Sequence, residues 1–159
     1  IVAIARGGLT LAQLLSDSLQ LPIASFTVES YKDLKQEKLP HITHSLSTSL
    51  HNKKILLVDD ICDTGKTFVR GLEHLQELGA EKQNITTASL YFKPHAEYKP
   101  DFYFGETSAW VIYPYEVRET IAQVAPIWKQ AGISNEEIQK RFLSFGFPHQ
   151  QVASFLNRT

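Results

Sequence analysis

The sequence predicts an α/β fold built on a parallel sheet, and three observations carry that prediction. Short apolar, β-branched runs alternate with stretches whose apolar residues recur at helical spacing, as expected of strands joined by helical crossovers. The length of 159 residues suits one main domain with its own core and, at most, a small appendage. Hydrophobic residues at 43% and charged residues at 21% match ordinary globular usage, which excludes disordered, collagen-like and coiled-coil chains.

Ile1 to Ala5 is apolar and β-branched and ends at Arg6-Gly7-Gly8, which reads as a buried strand entering a tight turn. Leu9 to Leu19 follows, with Leu11, Leu14, Leu15 and Leu19 at helical spacing, and stops before Pro22. Ile23 to Val28 is the second strand. From Glu29 to Lys54 the chain becomes polar and mixed in charge without clear periodicity, which predicts a mobile lid or flap. Ile55 to Val58 is a strong buried strand that delivers Asp59 and Asp60 at its carboxyl end. After a turn from Ile61 to Gly65, an amphipathic helix carries Phe68, Leu72, Leu75 and Leu78 on one face and stops at Gly79. Ile85 to Phe92 is the next strand and Trp110 to Tyr113 a shorter one. In sheets of this kind ligands bind at the carboxyl ends of the strands.

Beyond Val117 the pattern is helical only, so the chain divides into a domain over residues 1–116 and a small helical appendage over residues 117–159. Ile121, Val124 and Trp128 mark one helix, Ser134 to Glu137 form a capping box before Ile138 and Phe142, and Val152 and Leu156 mark a third. Trp128, Phe142, Phe145, Phe147 and Phe155 are more aromatic surface than so small a unit is expected to hide, so packing on the α/β domain with a contribution to an oligomer contact is expected of it, with a partner-recruiting module as the second reading.

Lysine and arginine number 16 against 17 acids, a formal charge of -1, so no whole-protein field recruits nucleic acid or an anionic membrane. Apolar runs of about five residues fall far short of the roughly 20 a membrane helix needs. A single cysteine, Cys62, and no secretory signal pattern point to a reducing, cytoplasmic setting. The chain has no methionine and opens on an apolar run, so its N-terminus reads as truncated. His41, His44 and His51 lack metal-ligand spacing and read as surface residues, and Cys62 points into the core.

The most informative stretch runs from Ile55 to Thr67, ILLVDDICDTGKT. Its Gly65-Lys66-Thr67 ending invites a P-loop reading, but that motif needs a glycine at position 60, which is Asp60. A Walker B strand fails too, because the chain has no Gly-rich partner loop for a triphosphate. Asp59 and Asp60 are acceptors suited to sugar hydroxyls or a hydrated magnesium ion. Asp63 to Thr67 lies where a helix begins, so free amides, the hydroxyls of Thr64 and Thr67 and the helix dipole converge on a phosphate, with Gly65 permitting close approach. A ligand with a diol at one end and a phosphate at the other, a ribose 5-phosphate, satisfies both halves.

This stretch resembles the phosphoribosyl pyrophosphate (PRPP) motif of the type I phosphoribosyltransferases. The resemblance implies that family's parallel-sheet fold, with a flap loop and here a small C-terminal helical appendage. By it, Asp59 and Asp60 hold the ribose hydroxyls, Thr64, Gly65, Lys66 and Thr67 hold the 5-phosphate, and Ile61 and Asp63 belong to the PRPP-binding set. Asp63 lies beneath the purine N7 as general base or proton carrier. Ala5-Arg6-Gly7-Gly8 is similar to the family's pyrophosphate loop, in which Arg6 adds a charged fork and Gly7 lets amides approach, and a cis peptide between Ala5 and Arg6 is implied. Ser30-Tyr31 is similar to the pair that opens the catalytic flap of the purine enzymes.

The base subclass follows from the same resemblance. Lys93, between the strand Ile85 to Phe92 and Pro94, matches the lysine that donates to a 6-oxopurine; an ammonium has only donors and favours a carbonyl over an amino group. Trp110, Val111 and Pro114-Tyr115-Glu116 resemble the stacking aromatic and acid-terminated loop of xanthine-guanine and hypoxanthine enzymes. Trp110 stacks on the base, the Val111 backbone reads its substituents, and Glu116 approaches the purine edge or the metal. Several members carry aspartate and tryptophan in place of Glu116 and Tyr115. The implied activity is magnesium-dependent transfer from PRPP to a purine base, giving a nucleoside 5-monophosphate and pyrophosphate. The resemblance also implies Mg2+ held through Asp60 and Glu116 and a homodimer or higher homo-oligomer. A PRPP-sensing regulator of the same fold without turnover is the alternative; an adenine or pyrimidine enzyme is disfavoured by Lys93.

Overall fold

The computed structural model describes residues 1–29 and 40–157, with backbone alone for residues 32–33 and 36–37. It divides into two compact units, Ile1–Ser108 and Ala109–Thr159. The first holds a six-stranded sheet made of β1 (Val2–Ala5), β2 (Ala24–Glu29), β5 (His41–His44), β6 (Ile55–Cys62), β7 (Ile85–Phe92) and β8 (Phe102–Glu106). Their order is β5-β2-β1-β6-β7-β8, parallel throughout except for the antiparallel edge strand β5. A separate two-residue ladder pairs β3 (Lys32–Asp33) with β4 (Gln36–Glu37).

Residue alternation along the strands feeds two faces. On one, Val2, Ile4, Phe26, Ile55 and Leu57 pack with Phe68 and Leu75 of α2 (Lys66–Glu77). On the other, Ala3 and Val58 pack with Ala12 of α1 (Gly8–Leu19), flanked by Leu11, Leu15, Leu56 and Ala88. Helix α1 returns the chain from β1 to β2, whereas α2 leads from β6 to β7 in the opposite direction across the sheet. The neighbours β1 and β6 are therefore the topological switch point, the place where ligands bind in open sheets of this kind.

Three sequence expectations need correction. Strand β6 does not stop at Val58: its ladder with β7 continues through Ile61 opposite Tyr91 and Cys62 opposite Phe92, so both acids lie within the strand. Trp110–Tyr113 is not a strand. The sheet ends instead with β8, whose start is pinned by a network in which exposed Asp101 accepts at Oδ2 from the amide and hydroxyl of buried Thr87, both at 2.8 Å. Finally, the stretch from Glu29 to Lys54 is not a flap throughout. Residues 41–44 form β5 on β2, Leu46 and Leu50 enter the main core, and Ser45 Oγ meets His74 Nε2 of α2 at 3.0 Å. Ser30 and Tyr31 lie outside the described residues.

The second unit contains α3 (Val117–Gln130), α4 (Asn135–Ser144) and α5 (His149–Leu156). The Ser134 hydroxyl caps α4 by accepting from the Glu137 amide at 3.3 Å, as the capping box predicts. The unit has a core of its own in Val117, Ile121, Ala125, Ile138, Phe142, Phe147, Val152 and Leu156. Trp128 is half-buried against Phe142 at 5.1 Å between centroids, while Phe145 stays 53% exposed. Among the described residues no helix is long and apolar enough to cross a membrane.

Leu57, fully buried in a central strand, tests the sheet core: Leu57→Ala is expected to cost about 2–5 kcal/mol in urea unfolding. Cys62 is equally enclosed, its Sγ donating to the Tyr98 carbonyl at 3.1 Å. Burial first, then the charges of Asp59 and Asp63, push its pKa up to about 12. Since the thiolate is the reactive form, iodoacetamide at pH 8 is expected to leave the folded protein unmodified and to alkylate Cys62 in denaturant, as read by mass spectrometry.

Candidate active site

The carboxyl-terminal half of β6 carries two adjacent carboxylates, both buried. Asp59 Oδ1 accepts from the Asp60 amide at 3.0 Å, and the Gly8 amide also bonds to the Asp59 carboxylate. Burial, and after it the charge of Asp60, holds the Asp59 pKa well above the usual carboxylate range, against the pull of those two amides. The turn after β1 presses against the second acid. A Cβ on Gly7 would lie 2.5 Å from Asp60 Oδ1, so only glycine lets this backbone approach the carboxylate. The peptide bond between Ala5 and Arg6 is cis, as the family resemblance implies.

Both helices that start at the switch point have a glycine N-cap and no side-chain cap, α1 after Gly7 and α2 after Gly65. Amides in the first turn of such helices are directed at whatever anion lies in front of them. Gly65 adopts φ +86°, and a Cβ there would meet the Tyr98 amide nitrogen at 2.6 Å. Glycine is required for the conformation and for the contact together.

The loop after β7 is fastened to the turn before α2. The Lys93 amide bonds to the Cys62 carbonyl at 3.0 Å and the Glu97 amide to the Thr64 carbonyl at 2.9 Å. These bonds bring Lys93 over Asp63, with Nζ donating to Oδ2 at 3.1 Å. The Lys93 side chain is only 8% exposed, against 45% for Asp63. The other carboxylate oxygen, Oδ1, lies 3.2 Å from His95 Nε2.

Of the residues expected to form the site, the structure brings together Gly7, Asp59 and Asp60 at one end and Asp63, Thr64, Gly65 and Lys93 at the other. Lys66 and Thr67 open α2, Ile61 lies in β6, and Arg6 leads the turn into α1. Trp110, Val111 and Glu116 belong to the second unit, where Glu116 Oε2 accepts from the Tyr113 amide at 3.2 Å just before α3. His95 was not anticipated. Its only sequence signal is its place two residues after Lys93, where an imidazole in a loop following a strand reads as surface.

Residues 1–120 match the family described as the phosphoribosyl transferase domain. The bifunctional protein PyrR of Limosilactobacillus fermentum is 29% identical in an alignment of 114 positions that covers 64% of this chain and 63% of that protein. The chain thus spans less than two thirds of that relative's length. The xanthine-guanine phosphoribosyltransferase of Cereibacter sphaeroides is 30% identical over 122 residues, covering 74% of this chain and 68% of that one. Among solved structures, the purine phosphoribosyltransferase from Pyrococcus horikoshii superposes with a TM-score of 0.65 at 37% identity, over 72% of this chain and 75% of its own. With the sheet order, the acid pair and the helix-opening turn all in place, the chain belongs to the phosphoribosyltransferase family.

Proposed function

We propose that the protein transfers the 5-phosphoribosyl group of PRPP to a 6-oxopurine, releasing a purine nucleoside 5-monophosphate and pyrophosphate. The observation that carries this reading is the pair of glycine-capped helix N-termini on either side of the buried carboxylates. PRPP has the matching pattern, an anion at each end of a sugar diol. In this reading the turn at Arg6 and Gly7 receives the pyrophosphate, and Thr64, Gly65, Lys66 and Thr67 receive the 5-phosphate. Asp59 and Asp60 accept from the ribose hydroxyls. The purine N9 bonds to the anomeric carbon as the bond from that carbon to pyrophosphate breaks, the electron pair leaving with pyrophosphate. Asp63 takes the proton released from N7.

Among the described residues no three His, Cys, Asp or Glu side chains gather as a metal cage. Two adjacent carboxylates do suit Mg2+, which is held through one or two carboxylates together with substrate oxygens and keeps several waters. Asp60 is the protein ligand we assign; Glu116 is assigned by family resemblance alone. Bound there, the ion would supply positive charge to the leaving pyrophosphate.

The purine class rests on Lys93. An ammonium carries three donors and no acceptor, so it can serve Asp63 and a ring carbonyl together and has nothing to offer an amino group. The relatives named for xanthine-guanine and purine transfer support the same class. Base contacts by Trp110, Val111 and Glu116 remain part of the proposal on resemblance, as do cytoplasmic location and a homo-oligomeric state. The alternative reading is binding of PRPP as a signal without turnover.

One assay separates the two: pyrophosphate release from PRPP with guanine, xanthine or hypoxanthine, with and without Mg2+. Magnesium-dependent release with at least one base is expected, whereas PRPP binding without release under every condition would establish the sensor. Asp63→Asn is expected to lower kcat by about 100-fold or more with the PRPP KM little changed, the size of a general-base contribution. Lys93→Ala removes a charge-assisted donor, so kcat/KM for oxopurines should fall by about 10- to 100-fold; unchanged guanine and hypoxanthine kinetics would remove the purine assignment.

A further inference from the structure

We infer that His95 is a positioning residue that fixes the carboxylate plane of Asp63 during phosphoribosyl transfer; the inference rests on the proposed role of Asp63 as proton acceptor. The two oxygens of this carboxylate have different partners. Oδ2 accepts from Lys93 Nζ at 3.1 Å, and Oδ1 faces His95 Nε2 at 3.2 Å. A carboxylate held through one oxygen still turns about its Cβ–Cγ bond. Holding both oxygens from different directions fixes the plane, and with it the lone pair aimed at the base.

The two holds differ in their dependence on substrate. In the proposed reaction Lys93 also serves the purine carbonyl, so its hold on Oδ2 is shared with the ligand. His95 makes no such second contact in that scheme, and its bond to Oδ1 persists whichever base is bound. The imidazole is 60% exposed, and its placement comes through its backbone. The Lys93 amide is bonded to Cys62, the Ala96 amide closes a turn onto the Lys93 carbonyl at 3.0 Å, and the Glu97 amide is bonded to Thr64. Residues 93–97 are thereby anchored at both ends to the residues on either side of Asp63. In this arrangement His95 Nε2 carries the proton and donates to Oδ1.

Misplacement of a reacting group by about 1 Å can cost on the order of 100-fold in rate, and loss of one of two holds should cost less. In His95→Leu, which fills similar space without a donor, kcat for purine transfer is expected to fall by about 10-fold. The KM for PRPP should stay within about twofold, because the phosphate-binding amides are untouched. In His95→Gln, whose amide N–H reaches a similar position, most of the lost kcat should return. Thermal melting of both variants reports whether the fold is kept. Unchanged kcat in His95→Leu, equal losses in the two variants, or a loss seen only as a raised PRPP KM would each overturn the inference while leaving the wild-type reaction standing. A wild-type protein that binds PRPP and turns over no purine would overturn the proposed function and this inference with it.

Discussion

A carboxylate buried in the carboxyl-terminal half of the central strand holds the two halves of the site in register. Asp59 has lost its water, and burial together with the neighbouring charge of Asp60 makes its ionised form costly. The amides of Asp60 and Gly8 offset part of that cost. One of those donors is the first residue of α1, so the bond that relieves Asp59 also ties the start of α1 to the end of β6. Gly7 completes the joint by letting the backbone lie against Asp60. The acid pair and the turn after β1 therefore move as one piece.

In the proposed reading, that joint lets a chain of nearly neutral charge bind a polyanion. With 16 basic and 17 acidic residues there is no long-range field to gather phosphates. Attraction has to be local, and two helix N-termini without capping side chains provide it through backbone dipoles. Placing carboxylates between two such ends sets acceptors beside donors at short range. A simple phosphate would find the first and be repelled by the second. A sugar bearing hydroxyls between two phosphoryl groups is matched by the whole set.

Much of this was legible in the sequence because local chemistry dictated it. The run from Ile55 to Thr67 needs a buried strand, acceptors at its end and an uncapped helix start, and each demand shows as a residue type at a fixed position. The misreadings occurred where tertiary contacts overrode the local pattern. Asp59 and Asp60 look like a strand end, yet the ladder to β7 continues past them because Ile61 and Cys62 pair with Tyr91 and Phe92. Phe102 to Glu106 became the edge strand through the Thr87–Asp101 network, whose partners are 14 residues apart. The polar stretch before Ile55 hid β5 because its histidines mask the period, although Leu46 and Leu50 were available as core anchors. His95 could not be found locally, since its significance comes from a carboxylate 32 positions earlier.

The same long-range coupling decides how the phosphate turn and the loop bearing Lys93 can vary. Cys62, Thr64 and Gly65 on one side meet Lys93, Glu97 and Tyr98 on the other, through two backbone bonds, the Cys62 thiol and the close approach of Gly65 to Tyr98. Tyr98 is further stacked on Phe68 of α2 at 5.6 Å and bonded through its hydroxyl to buried Thr87 at 3.0 Å. A shift in either loop must therefore disturb the other and the first turn of α2 as well. Tight packing of this kind resists gradual adjustment. In the proposed reaction the donor that selects the base and the amides that hold the 5-phosphate share one rigid support, so the distance between base and sugar is set by the fold before either ligand arrives.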